Sequence, residues 1–431
     1  MNILNFVSLL GLFILMGAAW AMSADRRRIN WRVVFWGMGL QLFLAALIFT
    51  VPAGRQAFLL LNSVVVKIVD VAGAGGRFVF GSLALPPSAE GSQGFILAFQ
   101  ALPTIIFFGA LLSLLYHFRI LPWLIEAFAY IFTRWMRVSG AESLCTASNI
   151  FVGVESGLAV KPHLERMTKS ELHTILTAMM ATIASSVLGL YVMVLHTTFP
   201  NIAGHLISAS LMSAPAALVM SKLLYPEKER PETMGLNIKI HCEKAEGPIV
   251  AAINGAMTGG KMVFGIVTLL IAVLGLAALV NLILNWLGGS VNGWLGTNID
   301  SSLEGLLGYL MIPFTMVVGI NPQDVPEVAK LIGERMIVTE LQSYQDLNKL
   351  LADGILVDRR SAVLATYALC GFAHIASIGI FIGGLAAIIP NRIKDLAGLG
   401  FRALAAATLA CLMTACAAGT FLTGSSVLFG K

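Results

Sequence analysis

The sequence predicts an all-α polytopic membrane protein: about eight transmembrane helices plus two re-entrant hairpins, arranged as an inverted repeat with broken helices. Three observations carry that expectation. Hydrophobic residues make up 57% of the chain and charged residues 12%, against about 25% charged in soluble domains, and the mean hydropathy is +0.84. Apolar segments of about 20 residues, enough to cross a ~30 Å hydrocarbon core, recur from one end to the other. Two shorter apolar stretches each carry a glutamate, Glu155 and Glu340. A carboxylate at that depth costs roughly 2.5–3.5 kcal/mol and is usually kept because it faces a polar cavity.

Composition excludes several classes. The net charge of +5 is concentrated between the spans, so it reports topology; no basic run interleaved with aromatics offers a nucleic-acid surface. Cys145, Cys242, Cys370, Cys411 and Cys416 lie far apart without a CxxC pair, which argues against a disulfide framework or structural zinc and suits small apolar packing residues. The first apolar run lacks a preceding basic region and leads straight into DRRR, the pattern of a retained helix and not of a cleaved signal.

The segments then follow in order. Span 3–22 is followed by Arg26, Arg27, Arg28 and Arg32, which the positive-inside rule places in the cytoplasm, with the N-terminus outside. Span 33–51 returns outward to a Gly-, Pro- and Ser-rich loop whose start, 57–71, suits a helix, and span 95–117 comes back in. Residues 119–138 mix basic and aromatic side chains as an amphipathic helix on the inner surface does. From 144 to 160 the chain is apolar but interrupted by Asn149, Gly153, Glu155, Ser156 and Gly157, which predicts a re-entrant hairpin with its tip at 153–157. Span 172–195 has a polar break at 181–186, and Ser and Thr at such depth can satisfy carbonyls freed by unwinding. Span 203–224 closes this half, ahead of a charged cytoplasmic linker and span 262–287.

The same order then recurs. A short apolar piece at 306–320 precedes a second hairpin carrying Glu340, span 361–389 is broken at 371–377, and span 403–429 ends outside. Counting spans, the first hairpin opens from inside and the second from outside, an inverted repeat recognised by pattern. This divides the chain into N-terminal helices and external loop (1–94), a first repeat (95–225), a cytoplasmic loop with a scaffold helix (226–303) and a second repeat (304–431).

These segments resemble the concentrative nucleoside transporter family. The residues that carry the resemblance are GAESL…NIFVG, KPHLERMTKSEL, MATIASSVLGLYV, GERMIVTEL and LCGFAHIASIGIFIGGL…PNRIKDLAGLGFRAL, in matching order and spacing. The resemblance implies cation-coupled symport in the inner (plasma) membrane, a homotrimer, no enzymatic activity, and no cofactor beyond the coupling ion. It also implies a site. Where the family has Gly-Gln-Thr-Glu at the first hairpin tip, this chain has Gly153-Val154-Glu155-Ser156; Glu155 takes the glutamate's place, while Val154 offers neither donor nor acceptor. In the second hairpin Glu340 matches the family's ribose-binding glutamate. Further on, Phe372 and Ser377 match and His374 replaces a ribose-binding Asn. The implied substrate shell is Val154, Glu155, Ser156, Glu340, Phe372, His374 and Ser377, and the implied sodium ligands are Asn149, Val152, Thr182 and Ile183.

Blander readings stand beside these. His374 also suits a satisfied core histidine, Phe372 a packing wall, Glu142 a purely structural carboxylate, and either hairpin glutamate a structural ion pair. Carbonyls plus a hydroxyl suit a hard monovalent cation and not a transition metal, with sodium first and a proton second, since His374 can titrate near neutral pH. The substrate is expected to be a nucleoside or nucleoside-like solute. The alternatives are another small hydroxylated solute or a transport-inactive membrane sensor; no HExxH or GxSxG motif supports an intramembrane enzyme. If the missing Gln redirects specificity, Val154→Gln is expected to tighten binding of uridine or adenosine, measured by competition with labelled nucleoside.

Overall fold

The computed structural model describes residues 3–86, 89–241, 245–296 and 299–423, without the side chains of Val154, Val291 and Leu295. Among these residues every element is helical apart from one isolated bridge, Ser139 to Met234. Helices α1 (Ile3–Ala21) and α2 (Trp31–Phe49) fall on the first two expected spans. Helix α2 starts where Asn30 Oδ1 accepts the Arg32 N–H at 3.1 Å, satisfying one orphan donor of its first turn.

Helix α3 runs Pro52–Phe80, well past the expected 57–71. Gly81, at φ +57, ends it, because only glycine adopts that left-handed turn without cost. It is long and apolar enough to cross a membrane, yet one contact and the sidedness of the charges that follow argue together for a place along the surface. Near its middle, Asn62 Nδ2 donates to Asn201 Oδ1 at 3.2 Å, directly before the outer end of a later span. Were it a crossing, the next span would run outward and leave Arg119, Arg134 and Arg137 on the wrong side. That next span is the short α4 (Leu97–Gln100) continued by α5 (Pro103–His117).

The first repeat proceeds through α6 (Ile120–Ile131), a π turn at Phe132–Met136, and α7 (Gly140–Asn149). At 1.5 Å per residue α7 is about 15 Å long, half a hydrocarbon core, and all ten residues are buried. The chain turns over and returns as 3₁₀ helix, Val154–Val160. Helix α8 (Lys169–Ala181) stops at Thr182 and resumes as α9 (Ser185–Leu195), and α10 (Ile202–Leu224) closes the repeat. Helix α11, expected over 262–287, spans Pro248–Leu295, 48 residues or about 72 Å. Pro248 suits its first turn and Gly296, at φ +64, its end. A side chain at Gly255 would strike the Gly109 carbonyl of α5, and one at Gly259 would meet Ile105 O at 2.8 Å. This Gly-x-x-x-Gly face lets two backbones touch.

The second repeat follows the same plan with α12 (Leu303–Val318), the hairpin α13 (Val325–Ile337) and α14 (Glu340–Ala352), the broken pair α15 (Arg359–Leu369) and α16 (Ile375–Ile388), and α17 (Ile393–Phe421). Eight helical stretches among the described residues are long and apolar enough to cross a membrane. Seven are expected spans and the eighth contains α3; the remaining expected span is the broken pair, each half too short alone. The core lies around α8, α9, α10 and α17, whose most apolar windows are 89% buried against 6% for α11. At the outer face, Arg360 donates to Gly319 O, Gly419 O and Leu422 O at 2.9–3.1 Å, a cation gathering the carbonyl ends of α12 and α17.

The base of the first hairpin is held by a buried ionic knot. Both helices that start there carry a Ser/Thr-x-x-Glu sequence: the Ser139 N–H donates to Glu142 at 2.9 Å and the Thr168 N–H to Glu171 at 2.8 Å, the reach-back half of a capping box. Lys222 of α10 sits 2.8 Å from Glu142 Oε2 and donates to Ser170 at 3.0 Å, while Ser139 Oγ donates to Glu171 at 2.5 Å. Removing one partner of such a pair leaves a buried charge uncompensated, which costs about 3–5 kcal/mol. Lys222→Met is therefore expected to lower the unfolding midpoint in detergent sharply; an unchanged midpoint would show that the knot does not hold the hairpin.

Candidate functional site

Each hairpin tip meets a helix break. At the first, Asn149 ends α7 and donates its amide to Ala178 O at 2.6 Å and to the Thr182 hydroxyl. The Thr182 hydroxyl in turn lies 3.2 Å from Asn149 O. Ser156 Oγ donates to Asn149 Oδ1 at 3.2 Å, so its hydroxyl orients Asn149. Ser210 of α10 reaches Ile150 O at 3.2 Å and Ile183 O at 3.5 Å. Asn149, Thr182 and Ile183 are all buried, and Val152 follows at the turn. The local chemistry is main-chain carbonyls and neutral side-chain oxygens. Among the described residues no group of His, Cys, Asp and Glu is placed to hold a transition metal. Such an oxygen set fits a hard cation.

The second tip builds a different cluster. Glu340 is the first residue of α14, where the helix dipole favours an anion. Its Oε1 accepts from the Tyr191 hydroxyl of α9 at 2.6 Å, and its Oε2 lies 3.3 Å from His374 Nε2. His374 caps α16: the Ser377 N–H donates to Nδ1 at 3.2 Å. That backbone donor makes Nδ1 an acceptor, so in the neutral ring the proton is on Nε2, which is 2.7 Å from Ser377 Oγ. Glu340 Oε2 is buried with no aligned donor among the described residues. The cluster thus presents a carboxylate oxygen that His374 Nε2–H approaches without alignment, beside a serine hydroxyl that keeps its own proton to give. Phe372 packs on Phe381, ring centroids 6.1 Å apart.

Glu155 faces open volume. With Val152, Gly153 and Ser186 it lines one end of a cavity of about 780 Å³, whose far end meets Arg119 and Lys161. The opposite wall is α5 and α11. By the span count the basic end is cytoplasmic, so the cavity leads from the first hairpin tip to the cytoplasm. Glu340, His374 and Ser377 are packed away from it.

Three sets of likeness bear on this arrangement. Residues 10–83 match the Na+ dependent nucleoside transporter N-terminus family, residues 98–198 the nucleoside recognition family, and residues 205–419 the Na+ dependent nucleoside transporter C-terminus family. The solved structure of CNTnw in an inward-facing substrate-bound state is 33% identical, with a TM-score of 0.89 over 99% of this chain and 100% of that one. The chain belongs to the concentrative nucleoside transporter family. A CNTnw variant in an intermediate state is similar as well, at 34% identity and a TM-score of 0.87 over 98% and 100%. Among animal members, solute carrier family 28 member 3 of Mus musculus is 39% identical over 96% of this chain and 58% of its own length. Sodium/nucleoside cotransporter 1 of Rattus norvegicus is 36% identical over 96% and 63%. The chain therefore spans about three-fifths of the length of these animal relatives. Membership makes it a multi-pass plasma-membrane protein of a transporter family and not an enzyme.

Of the residues singled out from sequence, the structure gathers Glu340, His374 and Ser377 in one cluster and Asn149, Thr182 and Ile183 in another. Glu155 stands on the cavity wall, Ser156 behind Asn149, and Phe372 against Phe381. The side chain of Val154 lies outside the described residues, as does Cys242. Glu142 belongs to the ionic knot. Sequence reasoning passed over Tyr191, although a tyrosine at mid-membrane depth needs a hydroxyl partner and the second hairpin offered one. Because His374 caps α16 through Nδ1, His374→Ala is expected to cost about 0.5–2 kcal/mol. His374→Asn, which can cap in the same way, is expected to restore most of it; unfolding midpoints of the two variants are the check.

Proposed function

We propose that this protein is a symporter that couples inward movement of sodium to uptake of a nucleoside, and that it works as a homotrimer. The observation that carries the reading is the second-hairpin cluster. A buried carboxylate oxygen, approached by His374 Nε2–H at 3.3 Å without alignment and so open to a further donor, stands beside a hydroxyl with a proton to give, a pair matched to the vicinal hydroxyls of a ribose, each of which donates and accepts. Glu155, which in this state stands on the cavity wall apart from that cluster, meets N–H or O–H groups of the same solute once the hairpin-bearing unit has moved. Asn149, Val152, Thr182 and Ile183 hold the ion through carbonyls and the Thr182 hydroxyl, and Phe372 forms a wall. The trimer reading comes from the family together with the broad apolar exposure of α11.

The mechanism follows from placement. A cation at the α7 turn and the α8/α9 break draws the first hairpin against Thr182 and so sets Glu155 beside the substrate. The repeat-bearing unit then moves against the α5/α11 wall, and the site alternates between faces. In the state described here the path from Glu155 leads inward.

A second reading, a hydroxylated solute other than an ordinary nucleoside, is favoured by one feature: Val154 stands where the family carries a base-reading Gln, so the hydroxyl face is furnished and the base face is not. Uptake of labelled uridine and adenosine into proteoliposomes, under imposed sodium and then proton gradients, separates the cases. Sodium-driven accumulation is expected, and Glu340→Gln, by weakening a charge-assisted bond of ~1.5–3 kcal/mol, is expected to reduce affinity roughly 10- to 100-fold. Accumulation under neither gradient from folded protein would overturn the nucleoside reading and leave the second.

A further inference from the structure

The end of the cavity that holds Glu155 carries one more polar residue, Ser186, second in α9 and just past the break at Thr182. Ser186 is 8% exposed, a burial at which a polar group normally has a partner. Among the described residues it has none, neither for its hydroxyl nor for its main-chain N–H. Its neighbours are all engaged. The Ser185 N–H donates to Phe151 O at 3.1 Å and its hydroxyl to Ile150 O at 3.5 Å. The Val187 and Leu188 N–H groups close on Ala184 O at 3.0 and 3.2 Å. The two donors left over belong to the one described residue of that turn that lines the cavity.

These donors stand at the positive end of the α9 dipole, which favours an oxygen acceptor. Glu155, at the same end of the cavity, has the complementary chemistry, since a carboxylate only accepts. Two donors beside one acceptor select an edge. A carbonyl oxygen has two lone pairs and takes both Ser186 donors, while the N–H beside it in a lactam donates to Glu155. A ring nitrogen flanked by an amino group has a single lone pair and takes one donor only.

We propose that Ser186 and Glu155 together read the base, and that the transporter prefers lactam bases, as in uridine and inosine, to amino-bearing ones, as in cytidine and adenosine. The start of α9 then does the work that Val154, in place of the family's Gln, leaves undone. This rests on the nucleoside reading above and deepens it: it names the substrate class and a residue that sets it.

The test is competition against labelled uridine uptake in proteoliposomes under an imposed sodium gradient. Uridine and inosine are expected to compete about fivefold better than cytidine and adenosine, the worth of one additional neutral hydrogen bond. The 4-thio analogue of uridine, whose sulfur is a weak acceptor, is expected to fall to the level of cytidine. Ser186→Ala, which leaves only the main-chain N–H, is expected to bring the four natural nucleosides within about twofold of one another, and Ser186→Thr to keep the preference. Equal competition by all four in the wild-type protein overturns the proposal, and so does an undiminished preference in folded Ser186→Ala. If that variant does not fold, the thio analogue decides, and competition equal to that of uridine overturns the proposal. Uptake of none of the four, under a sodium or a proton gradient, counts against the nucleoside reading itself, so the two failures are distinguishable.

Discussion

Breaking a helix inside a membrane releases carbonyls and amides that no water is present to satisfy, and this chain does so twice, at almost the same place. The breaks touch. A side chain added at Gly371 would meet Ala181 O at 2.9 Å and Cys411 Sγ at 2.7 Å. The Cys411 thiol stands between the two, 3.6 Å from Ala181 O and 3.5 Å from Cys370 O. Much of the polar inventory of the core serves to close this double wound. Thr182, Asn149 and Ser210 cover the first break, and Arg335, Tyr344 and His374 cover the second, with Tyr344 donating to Thr366 O at 3.0 Å. The functional groups are thus the same groups that make the fold possible. A ligand arriving at the midplane meets oxygens and nitrogens that are already there for backbone reasons.

The two hairpins are anchored by different physics. The first enters from a base stitched by charge, with Lys222 facing Glu142 and, at 3.6 Å, Glu227. The second hangs from hydrogen bonds at the outer face, where Asp324 accepts the Val357 and Asp358 N–H groups at 2.8 and 3.0 Å. The charged base ties the first hairpin to α8 and α10 together. The Asp324 bonds tie the second only to the segment leading into α15. Glu340 accordingly takes its position from contacts at its own depth, with Tyr191 and His374, more than from its root.

Much of this was legible in the sequence, because the bilayer imposes a length scale and penalises every misplaced charge. The span order, both hairpins and both breaks follow from where polar residues interrupt apolar runs. The Ser139/Glu142 and Thr168/Glu171 spacings went unread, so the starts expected at 144 and 172 fall at Gly140 and Lys169. Legibility failed where length stopped meaning a crossing. Helix α3 is apolar enough to be read as a loop with a short helix or as a span, and it takes the Asn62–Asn201 contact together with the sidedness of the later arginines to lay it flat. Helix α11 outruns its hydrophobic centre at both ends because Pro248 and Gly296, not hydropathy, set its limits. Partnerships between distant elements, across the repeats or within one, were invisible too. Tyr191 with Glu340 and Arg335 with Ala368 join residues whose only shared signal is depth, and one sequence without its relatives does not encode that directly.

The linker after α10 is the stretch that sequence marks as mere connection, polar and rich in charge. In the structure it runs along the first hairpin like a splint. Thr233 O accepts the Gly140 N–H at 2.8 Å, and His241 donates its N–H to Ala159 O at 2.9 Å, so the strip touches both the root of the hairpin and the far end of its returning arm. A binder raised against this cytoplasmic strip would grip a part whose position follows the hairpin. It would shift the balance between conformations by its own difference in affinity for them, giving a handle on the working cycle from outside the site.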